Sequence, residues 1–348
     1  MNGLFLEYRD PLFSIILFFT IIFIVTFFSY FWGRYKRKED YHHLNKFLKQ
    51  FQTVPSSHSI KDSMQNDTLS ENLWLLLASA YYKNGEYEHS IEIYNELLHK
   101  ANILNRKEVM FLLGKTYFKA GFLERSKQIF LEILKYSPRT PQALHYLLLV
   151  YEYMREYKSA LDVLEPLDEL KEDVTLEDYY LKVLIILQNT TLHEEEKALQ
   201  LLHLYNESKQ LTYVIFEYLF RVNPKLAWEN LALDKVELIV DILWHLDKKD
   251  VNLDIIAKNT YLQELYTAKG YVDFVEKSDV FEFDLLIKLS KKANATLNFE
   301  YGCSTCKGNF PFAFHRCSQC HCIDTMYIEW SLGRDYSKDF SEENNSFQ

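Results

Sequence analysis

Four cysteines near the C-terminal end carry the clearest chemistry in this 348-residue chain. Cys303 and Cys306 form one Cys-x-x-Cys pair and Cys317 and Cys320 a second, with ten residues between the pairs. Each pair sets two thiols on one tight turn, and a short β-hairpin between the turns brings them face to face. Four thiolates can then surround a single tetrahedral cation at about 2.3 Å. Two disulfides, or a redox pair beside unrelated cysteines, are the competing readings. Redox pairs open a helix in a βαβ setting, and nothing of that kind is visible here. A closed four-sulfur set has no open coordination position, so its one cation, zinc or iron, is structural and not catalytic. Gly308 follows the first pair, where a small residue lets backbone N–H groups turn toward sulfur. His321 and Cys322 adjoin the second pair and are read as bystanders.

A metal hairpin of this size is too short to bury a core of its own, so the rest of the chain must position it. Glycine (9) and proline (7) are scarce and hydrophobic content is 48%, as in a mostly helical chain with ample material for a core. The net charge is −10, and no long basic run occurs outside residues 34–38, which argues against nucleic acid as a partner. Four of the five cysteines are committed to one site, which suits a reducing compartment.

Pro11 to Gly33 contains no charged residue and is dominated by Ile, Leu, Phe and Val. At 1.5 Å per residue it reaches about 34 Å, enough to span a bilayer core. Tyr30-Phe31-Trp32 follow the run where a cleaved signal would carry small residues, which favours an uncleaved anchor. Arg34, Lys36, Arg37 and Lys38 flank its C-terminal end. By the positive-inside rule, residues 1–10 are then periplasmic and everything after 33 is cytoplasmic.

From residue 71 the apolar spacing repeats. Trp74, Leu77, Ala78, Tyr81, Gly85, Tyr87, Ser90 and Tyr94 are followed by Leu113, Gly114, Tyr117, Gly121, Ser126, Phe130 and Pro138, then by Leu144, Leu147, Tyr151, Tyr157, Ala160 and Leu164. Leu113 and Leu147 stand 34 residues apart, the length of a tetratricopeptide (TPR) unit, which this pattern resembles. Small residues let the two helices of a unit approach while large ones fill the seam to the next. These residues are therefore core. The concave face of the first helices would carry the binding groove: Ser79, Tyr82, Lys83, Lys115, Phe118, Lys119, His145, Glu152 and Tyr153. Its aromatics and lysines suit a protein segment with some negative charge. The expected organisation is a basic juxtamembrane segment with a degenerate repeat at 34–70, and three clear TPR units at 71–174. Irregular helix pairs then fill 175–295, the metal module 296–333 and a disordered tail 334–348. Overall the fold expected is all-α, a TPR superhelix of antiparallel helix pairs with one transmembrane helix and a small C-terminal β module.

Together the anchor, the repeats and the Cys-x2-Cys-x10-Cys-x2-Cys end resemble the lipopolysaccharide assembly protein B (LapB/YciM) family. Leu113-Gly114-Lys-Thr-Tyr117-Phe-Lys-Ala-Gly121 through Ala160 is similar to that family's central repeats. Tyr301-Gly-Cys303-Ser-Thr-Cys306 and His315-Arg-Cys317-Ser-Gln-Cys320 are similar to its rubredoxin-like end. The resemblance implies a non-enzymatic adaptor at the inner membrane that links the membrane protease FtsH to the lipid A deacetylase LpxC, with the rubredoxin-like module packed on the repeats. Lipopolysaccharide transport and assembly proteins are further possible partners, and no small-molecule substrate is implied. A membrane-tethered TPR scaffold without a role in proteolysis stays open as an alternative. An enzyme is disfavoured, because no Gly-rich phosphate loop, Ser/His/Asp set or open metal position is legible.

Overall fold

A computed structural model describes Phe27, residues 70–99, 106–289 and 295–334. The expected anchor at 11–33 (Phe27 apart), the stretch 34–69 and all but the first residue of the tail lie outside the described residues. Among those described, no helix is long and apolar enough to cross a membrane. The chain forms two compact units, residues 1–116 and 117–348.

The first unit contains α1 (Glu71–Lys83), α2 (Tyr87–His99) and most of α3 (Arg106–Lys119). α1 and α2 form a hairpin whose inner faces carry Trp74, Leu77, Ala78, Ser90 and Tyr94 of the repeat pattern, while Tyr81 and Tyr87 are half-buried and Gly85 is exposed at the turn. Trp74, Leu77, Ala78, Ser90, Ile93, Tyr94 and Leu97 are all buried. Ala78 and Ser90 have no exposed surface, as the close approach of two helix backbones requires.

The second unit continues through α4 (Leu123–Tyr136), α5 (Pro141–Tyr153), α6 (Tyr157–Asp162), α7 (Leu164–Glu169), α8 (Thr175–Gln188), α9 (Glu194–Ser208) and α10 (Thr212–Val222). Beyond it the helices shorten: α11 (Pro224–Asn230), a 3-10 turn over Leu233–Ile239, α12 (Val240–His245), α13 (Leu253–Ile256), α14 (Thr260–Ala268) and α15 (Phe281–Leu289). Side-chain caps fix several starts. Asn223, Asn252 and Asn259 each accept a backbone N–H from the first turn of α11, α13 and α14. Ala198 of α9 and Ala227 of α11 are fully buried, as close helix packing requires.

The same turn closes the hairpins of all three repeats. Gly85, Gly121 and Arg155 adopt φ of 81°, 81° and 61°. In each case the N–H of that residue and of its successor bond back to the end of the preceding helix, at 2.8–3.2 Å. This is a left-handed helix stop, favoured by glycine because L side chains crowd there. The third repeat makes it with an arginine.

A three-stranded sheet ends the described chain, in the order β2-β1-β3, from β1 (Ala295–Cys303), β2 (Asn309–Phe310) and β3 (Met326–Arg334). β1 and β3 are antiparallel from Cys303↔Met326 to Ala295↔Arg334. One hydrophobic cluster runs from Tyr180 through α9–α15 and takes in Leu297 and Ile323 of this module. The module thus shares a core that it could not build alone.

The left-handed stops give a direct test. Gly121→Ala should cost about 1–2 kcal/mol, from backbone strain with no steric clash. Arg155→Gly should cost nothing or stabilise slightly. Thermal unfolding of the two variants checks the contrast.

Candidate metal centre

The two cysteine turns are built alike. In the first, Cys303 N–H donates to Gly308 O and Lys307 N–H to Cys303 O, both at 2.9 Å. In the second, Cys317 N–H donates to Cys322 O and His321 N–H to Cys317 O, again both at 2.9 Å. Lys307 and His321 occupy equivalent left-handed positions, at φ 59° and 62°. Cys322 therefore corresponds to Gly308: its carbonyl closes the turn, and its thiol lies 3.8 Å from Cys320 O, outside the cluster.

The Sγ atoms of Cys303, Cys306, Cys317 and Cys320 all lie within 4.8 Å of one another. The Cys303–Cys320 and Cys306–Cys317 separations are both 3.6 Å. A tetrahedral cation with 2.3 Å bonds asks for edges of about 3.8 Å, so the donor set fits such an ion closely. The electrostatics of the thiols agree. Burial raises the Cys303 thiol, but backbone N–H groups of Cys306 and Thr305 and the Thr325 hydroxyl outweigh it and bring it to about 6. At Cys306 the Gly308 amide favours the thiolate, yet burial and the neighbouring Cys317 and Cys303 sulfurs leave it raised. Cys320 is raised too, by burial first and then by Cys317 and Cys303. One thiolate forms readily while Cys306 and Cys320 resist a like charge, a conflict that a bound cation resolves.

The second cysteine turn also meets the repeat helices. Arg316 Nε stands 2.7 Å from Glu152 Oε2 at the end of α5, with side chains only 6% and 10% exposed. Its guanidinium lies 5.2 Å from the Tyr180 ring centroid, and Nη1 donates to His321 O at 2.7 Å. Lys119 Nζ donates to Ser318 O at 3.2 Å, and the His321 ring meets Phe118 edge-on at 5.7 Å. Burial raises the Glu152 carboxyl, with Arg316 opposing it, and burial also pushes Tyr180 upward, with Glu152 adding to it.

Further polar contacts hold the rest of the module. The Tyr213 and Tyr301 hydroxyls both donate to Asp241 Oδ2, at 2.7 and 2.8 Å. Asp324 Oδ2 accepts the N–H of Leu211, which sits left-handed at φ 57° just before α10. His315 Nε2 lies 2.9 Å from Glu217, and Trp330 of β3 stacks on Phe283.

The nine candidate groove residues divide accordingly. In the first unit Ser79 and Tyr82 are half-buried, Lys83 is exposed, and Lys115 Nζ lies 5.5 Å from the Tyr82 ring centroid. In the second unit Phe118, Lys119 and Glu152 contact the metal module. Tyr153 packs edge-on against Phe118 at 5.2 Å and is 49% exposed, and His145 faces Glu172 at 3.8 Å. At Glu152 the group held is a cation, Arg316, where the sequence suggests an acidic ligand. Sequence reasoning missed Arg316, Asp241, Tyr213 and Asp324. An acid inside the apolar run Val240-Asp241-Ile-Leu-Trp244 was the available signal for Asp241.

A family match supports the repeat reading for its first unit. The tetratricopeptide repeat family matches residues 71–98. No curated protein matches the chain. Among solved structures, the chain is similar to a tetratricopeptide repeat protein from Parabacteroides merdae. The two are 16% identical, covering 73% of this chain and 98% of that one with a TM-score of 0.39.

Elemental analysis should find one zinc or iron per chain, lost in Cys303→Ser/Cys306→Ser and retained in Cys322→Ser. Arg316→Ala strands a buried carboxylate and should cost about 3–5 kcal/mol. Removing both charges, with Glu152→Gln and Arg316→Met, should recover most of that loss. Urea unfolding followed by tryptophan fluorescence distinguishes the two outcomes.

Proposed function

We propose that the chain is a non-enzymatic, membrane-anchored adaptor of lipopolysaccharide biosynthesis that promotes FtsH-dependent degradation of LpxC. The observation that carries this reading is the four-thiol module seated on the TPR helices through Arg316 and Glu152. A metal-folded knob used as a docking piece is what an adaptor needs and what a catalyst does not. The four ligand sulfurs leave no coordination position for a substrate. The uncharged run 11–33 and its basic flank support a tether that leaves the bulk of the chain on the cytoplasmic side of the inner membrane. In this reading the partner meets Ser79, Tyr82, Lys83 and Lys115 of the first unit, while Phe118, Lys119 and Glu152 of the second hold the chain's own module.

Deleting the gene should lengthen the half-life of LpxC after protein synthesis is blocked, and wild-type protein should restore it. An unchanged half-life would favour the scaffold without a proteolytic role. Lys83→Glu with Lys115→Glu should abolish co-purification of the partner while leaving helicity intact, since exposed charges cost roughly 0.5 kcal/mol or less.

A further inference from the structure

On one side the sheet ends in a long edge to which no further strand is paired among the described residues, with the 3-10 turn over Leu233–Ile239 packed against the same strand. β2 covers two residues of β1 on one side, and β3 forms the other edge along nine residues. Parity of the ladder follows from two bonds. Ser304 N–H donates to Thr325 O at 2.8 Å, whereas Cys303 N–H turns away from β3 to Gly308 O. The pairs Gly302↔Tyr327, Glu300↔Glu329 and Asn298↔Ser331 therefore exchange the β1–β3 hydrogen bonds. The backbone groups of Ile328, Trp330 and Leu332 point outward, and among the described residues no hydrogen bond engages them.

Of the usual protections of an edge, β3 carries only the charges of Glu329 and Arg334. β3 has no proline, no lysine and no break in register from Met326 to Arg334. Its two faces differ. Ile328, Trp330 and Leu332 share the helix-facing side with Leu297, Phe299 and Tyr301, and Leu332 is still 37% exposed at the rim. On the solvent side Glu300 and Glu329 are directly opposite each other, both exposed, and among the described residues no cation pairs with either. Like charges in that relation repel.

We propose that the outer edge of β3 is a docking site for an extended basic segment of a partner polypeptide, added as a fourth strand. Backbone hydrogen bonds to Ile328, Trp330 and Leu332 supply the pairing. A lysine or arginine on its solvent face relieves the Glu300–Glu329 repulsion, and its alternate apolar residues extend the helix-facing side beside Leu332. A second copy of the chain fits less well, because it brings another Glu329 to the same acidic row. The inference rests on the sheet alone and is independent of the lipopolysaccharide reading.

The test uses the purified, zinc-loaded full-length chain and two fluorescent nine-residue peptides, one alternating Lys and Val, the other Glu and Val. The Lys-Val peptide should bind at least about tenfold more tightly. Leu332→Pro removes one outward N–H and leaves the β1 ladder intact, and should weaken binding by about the same factor. Glu329→Lys should reverse the preference, which separates edge pairing from the general attraction of a chain of net charge −10. Equal binding of the two peptides, or binding indifferent to both substitutions, would overturn the proposal. So would self-association abolished by Leu332→Pro in a chain that binds neither peptide, which would assign the edge to a second copy.

Discussion

A guanidinium withdrawn from water needs a compensating partner, and in this chain that requirement ties the second cysteine turn to a repeat helix. Arg316 lies on the second cysteine turn, directly before Cys317, and Glu152 lies at the end of a repeat helix. Neither charge is tolerable buried without the other. The cysteine turn cannot hold Arg316 in place unless its own fold is fixed, and that fold depends on four thiols gathered about one point. The cysteine cluster, its turn and the repeat face are thus linked through this ion pair, with the Lys119–Ser318 bond and the Phe118–His321 contact beside it. The Asp241 carboxylate, shared by Tyr213 and Tyr301, and the Asp324–Leu211 bond extend the same seam along the helices.

The division of labour follows from size. Some forty residues of sheet and turns bury only Leu297, Ile323 and two cysteines as hydrophobic core, too little for independent stability. The helices supply the remaining apolar surface, through Phe283 under Trp330 and His245 beside Phe299. The repeats themselves follow a simpler rule, with small residues where helices approach and a left-handed stop between them.

Much of this was legible in the sequence because it is local. The cysteine spacing specified the two turns, and Ala78 with Ser90 or Gly85 with Gly121 specified the helical hairpins. Concave-face positions were legible too, since they follow from helix periodicity. What occupies Phe118, Lys119 and Glu152 was not, because the occupant comes from more than 150 residues away, and spacing says nothing about contacts at that range. Arg155 in a left-handed stop escaped for another reason: the turn is dictated by the helices it joins, and propensity yields to them. The irregular helices after Val222 are short and capped by asparagines, with no repeat length to set their register.

The link between metal and ion pair is the central claim, and thermodynamic reciprocity makes it measurable. Glu152 touches no cysteine, so replacing it changes metal affinity only if docking and metal binding are coupled. Competition with a chromophoric chelator on the full-length chain gives the zinc affinity directly. Glu152→Gln should weaken it by about 10–100-fold, as loss of an outer-shell partner does. An affinity equal to that of the wild-type chain would contradict the account, and would make the module a metal fold that merely rests on the helices.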